Sequence, residues 1–154
     1  MDLHTVGLSP WIKGPWTPGV SCDTPGNLAI SFAADPSNCA VGYFWRCGPF
    51  VHVTYRLNFS ANYSTASGRL RVTGLPFAAS SAANSQTLGT LTFQCVNKAN
   101  YTQFGSLLFA GNDYLDYFAA AQGQPETGLN ITDISNNQAI VLLEGGHTYF
   151  TDAP

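Results

Sequence analysis

The sequence predicts an all-β protein, an antiparallel β-sandwich of jelly-roll type. Apolar and polar residues alternate with period two along several segments, as in strands with one buried face. Clusters of Gly, Pro, Asn, Asp and Ser interrupt these segments at short, regular intervals. No segment combines a helical period with the caps a long helix needs. With 154 residues, the chain is long enough for one domain with a real core.

Residues 1–27 hold Pro10, Pro15, Pro18 and Pro25 with Trp11 and Trp16, and alternate little. They read as an irregular N-terminal arm rich in Pro, Gly and Trp, followed by the sandwich over 28–154. Two roles stand open for the arm. Either its tryptophans plug the end of the sandwich, since tryptophan is mostly buried, or Trp11, Pro15, Trp16 and Pro18 grip a partner.

Strands are expected at Leu28–Phe32, Cys39–Arg46, Phe50–Phe59 and Arg69–Thr73. Further strands follow at Thr87–Val96, Ser106–Ala110, Tyr114–Ala119, Ala139–Leu143 and Thr148–Thr151, about nine in all. In Phe50–Phe59, Val51, Val53, Tyr55, Leu57 and Phe59 point one way and His52, Thr54, Arg56 and Asn58 the other. Arg69–Thr73 alternates in the same manner. The two are expected to be consecutive antiparallel strands joined through the polar turn Ser60–Ser67. Pro76, which has no ladder N–H, closes the second of them. Asp35–Asn38, Gly111–Asp113 and Glu144–Gly146 read as turns, and Ala78–Ser85 and Ala119–Thr127 as loops.

Only 10% of the residues are charged, against about 25% in typical domains. A surface of Ser, Thr, Asn and Gln repels neighbours weakly and suits permanent assembly or sugar contact. The net charge is −3 and the six basic residues are scattered, so no phosphate backbone is tracked and nucleic acid is not an expected partner. There is no apolar run long enough to span a membrane. No basic segment followed by an apolar core opens the chain, so synthesis in a cytoplasm is expected.

The chain carries 3 Trp, 7 Tyr and 10 Phe, more rings than one thin sandwich needs. Some are expected at subunit contacts, where rings bury large area at little entropy cost. Tyr149 and Phe150 place one ring on each face of the last strand, and with His52 they are the candidate subunit-interface residues.

The motifs of common catalytic centres are missing: no G-x-S-x-G elbow, H-E-x-x-H pair, phosphate-binding glycine loop or Cys/His nucleophile pattern. Asp113 and Asp116, the best carboxylate pair, fall on opposite faces of a strand. The expectation is a protein that is not an enzyme and uses no cofactor or metal. Cys22, Cys39, Cys47 and Cys95 lack C-x-x-C spacing. Buried thiols are the default, with a disulfide to Cys22 or Cys95 left open.

Gly42-Tyr43-Phe44-Trp45-Arg46-Cys47-Gly48, then Val51-x-Val53, then Ser67-Gly68-x-Leu70-x-Val72-x-Gly74-Leu75-Pro76-Phe77 resembles the β-sandwich modules of tailed bacteriophages. Such modules form trimeric heads of tail fibres and tailspikes, and similar jelly rolls decorate some capsids. The resemblance is close over 41–77 and loose beyond; Cys47 and Pro49 depart from it. Gly42, Gly48, Gly68, Gly74, Leu75, Pro76 and Phe77 are its signature positions. It implies a homotrimeric virion protein, expected to decorate a phage head by binding the major capsid protein. The alternative is a receptor-binding head that recognises a host surface glycan.

Overall fold

The computed structural model describes residues 11–33, 39–82, 85–137 and 141–154. The described residues form eleven strands: β1 (Ile12–Trp16), β2 (Gly19–Thr24), β3 (Ala29–Phe32), β4 (Ala40–Cys47), β5 (Phe50–Asn62) and β6 (Ser67–Thr73). After these come β7 (Thr87–Gln94), β8 (Gln103–Leu108), β9 (Leu115–Ala121), β10 (Gln124–Gly128) and β11 (Val141–Phe150). A single 3-10 turn at Ile131–Asp133 is the one helical element among the described residues.

The longest strand shows how the sequence pattern becomes a core. On β5, Val51, Val53, Tyr55, Leu57, Phe59 and Ala61 face inward, each at most 4% exposed. Burying a large apolar side chain contributes about 1.5–3 kcal/mol, so one strand supplies a substantial share of the driving force. β4 and β11 pair with β5, and all named strand pairs are antiparallel, in the order β1-β4-β5-β11-β7-β8-β9-β6-β2. β3 joins the end of β5, and β10 pairs with β9.

The sheet curls over on itself. Tyr117 on β9 donates from its hydroxyl to that of Tyr55 on β5 at 2.9 Å, although three strands separate β9 from β5 within the sheet. Both concave faces share one cluster that includes Leu57, Leu70, Val72, Leu115 and Leu143. The predicted all-β antiparallel sandwich is therefore the observed fold.

Four details differ from expectation. First, the segment read as an irregular arm is strand over 12–16 and 19–24, with β1 on β4 and β2 on β6 at the two ends of the sheet. Pro15 obscured this, yet a proline is tolerated on an edge strand, where its missing N–H would face solvent. Residues 1–10 of that segment lie outside the described residues.

Second, β5 and β6 are consecutive but do not pair. β6 bonds to β2 and β9, while β5 bonds to β3, β4 and β11. Strands that face each other through side chains alternate in the same way as strands that share a ladder, so the pattern alone does not separate them. Asn27 fixes the crossing between them: its Oδ1 accepts from the Ser64 and Thr65 backbone N–H groups at 2.9 and 2.8 Å.

Third, Glu144-Gly145-Gly146 is no turn, and β11 runs unbroken from Val141 to Phe150. A Cβ on Gly145 would stand 2.5 Å from both the Tyr55 hydroxyl and the Thr90 carbonyl oxygen. Glycine serves close approach here rather than reversal. Fourth, the expected loop Ala119–Thr127 contains the end of β9 and most of β10.

The signature residues lie around the turns and the core edge. Gly48, Gly68 and Gly74 adopt φ of 57°, 85° and 83°, which side chains disfavour. Gly42 makes room for the Trp16 indole, whose atoms a Cβ would strike. Leu75 is buried, Pro76 follows the end of β6, and the Phe77 ring meets Phe44 edge-on at 5.4 Å. Arg46, only 7% exposed, lies 4.6 Å over the Phe77 ring. It donates to the Gly48, Ala153 and Pro154 carbonyl oxygens at 2.7, 2.5 and 2.8 Å, tying the last residues to β4.

Candidate functional site

The alternation that buries one face of β5 turns His52, Thr54 and Arg56 outward, and cross-strand register gathers their neighbours. On β4, Trp45 lies opposite His52 and Tyr43 opposite Thr54. On β11, Thr148 lies opposite His52, Gly146 opposite Thr54, and Glu144 opposite Arg56; β7 adds Thr90 beside Gly146. Directly opposed residues share a face, so four strands build one outer surface.

Its geometry is specific. The Tyr43 and Trp45 rings have centroids 6.2 Å apart at 35°, and Trp45 and His52 are 5.9 Å apart at 40°. His52 Nδ1 is hydrogen-bonded to Thr148 Oγ1 at 2.8 Å. Arg56 Nε meets Glu144 Oε1 at 2.9 Å. Two shallow hollows lie on this face. One, of about 340 Å³, is lined by Val41, Tyr43, Thr54 and Arg56. The other, of about 410 Å³, is lined by His52, Leu88, Thr90, Gly146 and Thr148. Gly146 keeps the floor open, since a Cβ there would meet nothing closer than 3.6 Å. An exposed Tyr43 ring and a half-buried Trp45 ring beside hydroxyls and an imidazole make a surface that can stack an apolar ring face and bond its polar rim.

The sequence-derived partner candidates separate by burial. Trp11 is 67% exposed and Pro15 is exposed. Trp16 is instead a core residue, with its indole N–H on the Thr54 carbonyl oxygen at 3.2 Å and its ring 6.3 Å from Tyr55. Pro18 is buried as well. Neither can grip a partner.

Among the interface candidates, Tyr149 is corrected for the same reason. It is 1% exposed, and its hydroxyl donates to the Phe77 carbonyl oxygen at 2.8 Å, leaving no ring face for a neighbour. Phe150 is 53% exposed and meets Phe50 edge-on at 5.9 Å, on the same outer face as His52.

Two polar clusters lie elsewhere. Asp116, read with Asp113 as the best carboxylate pair, is buried beneath two arginines. Arg71 Nε holds it at 2.9 Å and Arg69 approaches to 3.8 Å. Arg71 also pairs with Asp23 and lies 4.3 Å over the Tyr114 ring.

Inside the sandwich, His147 is 1% exposed, with Nε2 2.7 Å from Thr87 Oγ1 and Nδ1 3.0 Å from Ser106 Oγ. Burial lowers its pKa from the usual 6.5 to about 4, and the nearby His52 adds to the shift. Sequence reasoning passed over His147 because the glycines before it looked like a turn. Cys22 and Cys39 are buried thiols and Cys95 is exposed.

The fold is that of an antiparallel β-sandwich with an aromatic and polar outer face. No family model matches the chain, and no curated protein does. Among solved structures, it is similar to the crystal structure of the Dettilon tailspike protein (gp208), with a TM-score of 0.62 at 16% identity. The match covers 90% of this chain and 24% of that one, so the chain spans about a quarter of that tailspike's length. At this identity the likeness concerns the fold.

Proposed function

We propose that this chain is a host-recognition module of a phage tail appendage, which binds a cell-surface glycan through the outer face of β4, β5, β11 and β7. The Tyr43–Trp45 ring pair beside His52, Thr54 and Thr148 carries this reading. The tailspike-like fold supports placing it in a phage particle. The module acts as a homotrimer in the virion, as the sequence resemblance implies. The same resemblance first pointed to capsid decoration; the glycan reading is preferred because rings set beside hydroxyls suit a ligand with an apolar ring face and a polar rim.

Fluorescently labelled protein added to host cells and to purified capsids separates the two. Saturable binding to cells, competed by their extracted polysaccharide and absent on capsids, is the expected result. Tyr43→Ala, at a ring 54% exposed, lowers it by roughly tenfold or more, the scale of an aromatic anchor, with the thermal melting temperature little changed. Binding to capsids alone overturns the reading and restores decoration. Sedimentation of the same sample is expected to give three chains per particle.

A further inference from the structure

We infer that the outer-face groove is built for an uncharged glycan and that the Arg56–Glu144 pair enforces this choice. The inference rests on the proposed function above and names the ligand class for that same site. Arg56 is the one Lys, Arg, Asp or Glu side chain lining the two hollows among the described residues. A guanidinium at a sugar site ordinarily recruits a carboxylate through charge-assisted bonds. Here the charge is already balanced: Glu144, its register partner on β11, places a carboxylate oxygen 2.9 Å from Nε, an ion pair without the geometry of a hydrogen bond. Lys13 sits opposite Trp45 on β1, outside both linings.

A uronate or sialate carboxylate entering beside Arg56 therefore meets Glu144 at about the same distance. It gains one attraction and suffers one repulsion of similar size. A neutral pyranose has no such conflict. Its C–H face stacks on Trp45 or Tyr43, and its hydroxyls meet Thr54, Thr148, Thr90 and the His52 ring. Specificity then comes from a repulsive element placed against the wrong ligand.

The test is an immobilised panel of neutral hexose and N-acetylhexosamine oligosaccharides set against uronate and sialate oligosaccharides of matched length. The wild-type protein is expected to bind members of the neutral set and to leave the acidic set unbound. Glu144→Gln, an isosteric change at a part-exposed site, is expected to raise affinity for the acidic set by roughly tenfold, the scale of one charge-assisted hydrogen bond. The double variant R56Q/E144Q is expected to lose that gain. Wild-type preference for acidic sugars, or no gain in E144Q, overturns this inference and leaves the glycan-binding function standing. No binding to any member of either set overturns both.

Discussion

Tyr117 donates its phenolic proton to Tyr55 across the interior at 2.9 Å, and this bond joins the two layers of the curled sheet. Burial pushes both phenols well above the ordinary tyrosine range, so each stays neutral and able to donate. Tyr55→Phe leaves the Tyr117 hydroxyl buried without that acceptor, which costs about 1–3 kcal/mol. The double variant Y55F/Y117F removes both groups and is expected to lose less than the sum of the two single changes. Urea denaturation of the four proteins gives the coupling; strict additivity contradicts it.

The two N-terminal tryptophans are expected to respond in opposite ways. Trp16→Ala empties a core position and costs about 3–5 kcal/mol. Trp11→Ala, at 67% exposed, stays within about 0.5 kcal/mol of wild type. Denaturation midpoints separate them, and equal losses would refute the placement of Trp16.

Adjacent glycines on β11 make a similar contrast. Gly145→Ala forces a methyl against the Tyr55 hydroxyl and the Thr90 carbonyl oxygen, each 2.5 Å away, and costs about 1–3 kcal/mol. Gly146→Ala meets nothing within 3.6 Å. It is expected to leave stability nearly intact while raising the floor of the groove and weakening glycan binding. A thermal melt and a binding isotherm on each variant check both halves.

His147 sets an acid limit. Its folded pKa of about 4 lies below the unfolded value of 6.5 because burial disfavours the charged ring. Between these values the unfolded chain binds the proton and the native state does not. The contribution is thus complete above about pH 6.5, declines as pH falls toward 4, and changes no further below that. The full loss is on the order of 3 kcal/mol. His147→Gln is expected to flatten stability across that window, measured by urea denaturation from pH 7 to 4. An unchanged slope would show that other groups dominate.

Where a feature depends on one strand's own residues, it was legible in advance. The faces of β5 and β6 follow from alternation, because side chains on a pleated strand point to opposite sides whatever the strand pairs with. Low charge and many rings likewise indicate, from composition alone, an assembling or sugar-binding surface. The groove was not legible: Trp45, His52, Thr148 and Thr90 come from four strands, and only register brings them together.

What the sequence determined by itself was therefore local: that the chain is β, which residues of each strong strand face inward, and that β6 stops before the Gly74–Pro76 turn. Tertiary structure decided the rest. It showed that β5 and β6 share one core without pairing, that Gly145 admits Tyr55 instead of making a turn, and that Trp16 fills the core rather than reaching outward. The physical reason is the same in each case. Alternation and glycine express what one segment can do, whereas pairing and close approach depend on atoms that are distant in the chain and close only after the sheet has curled.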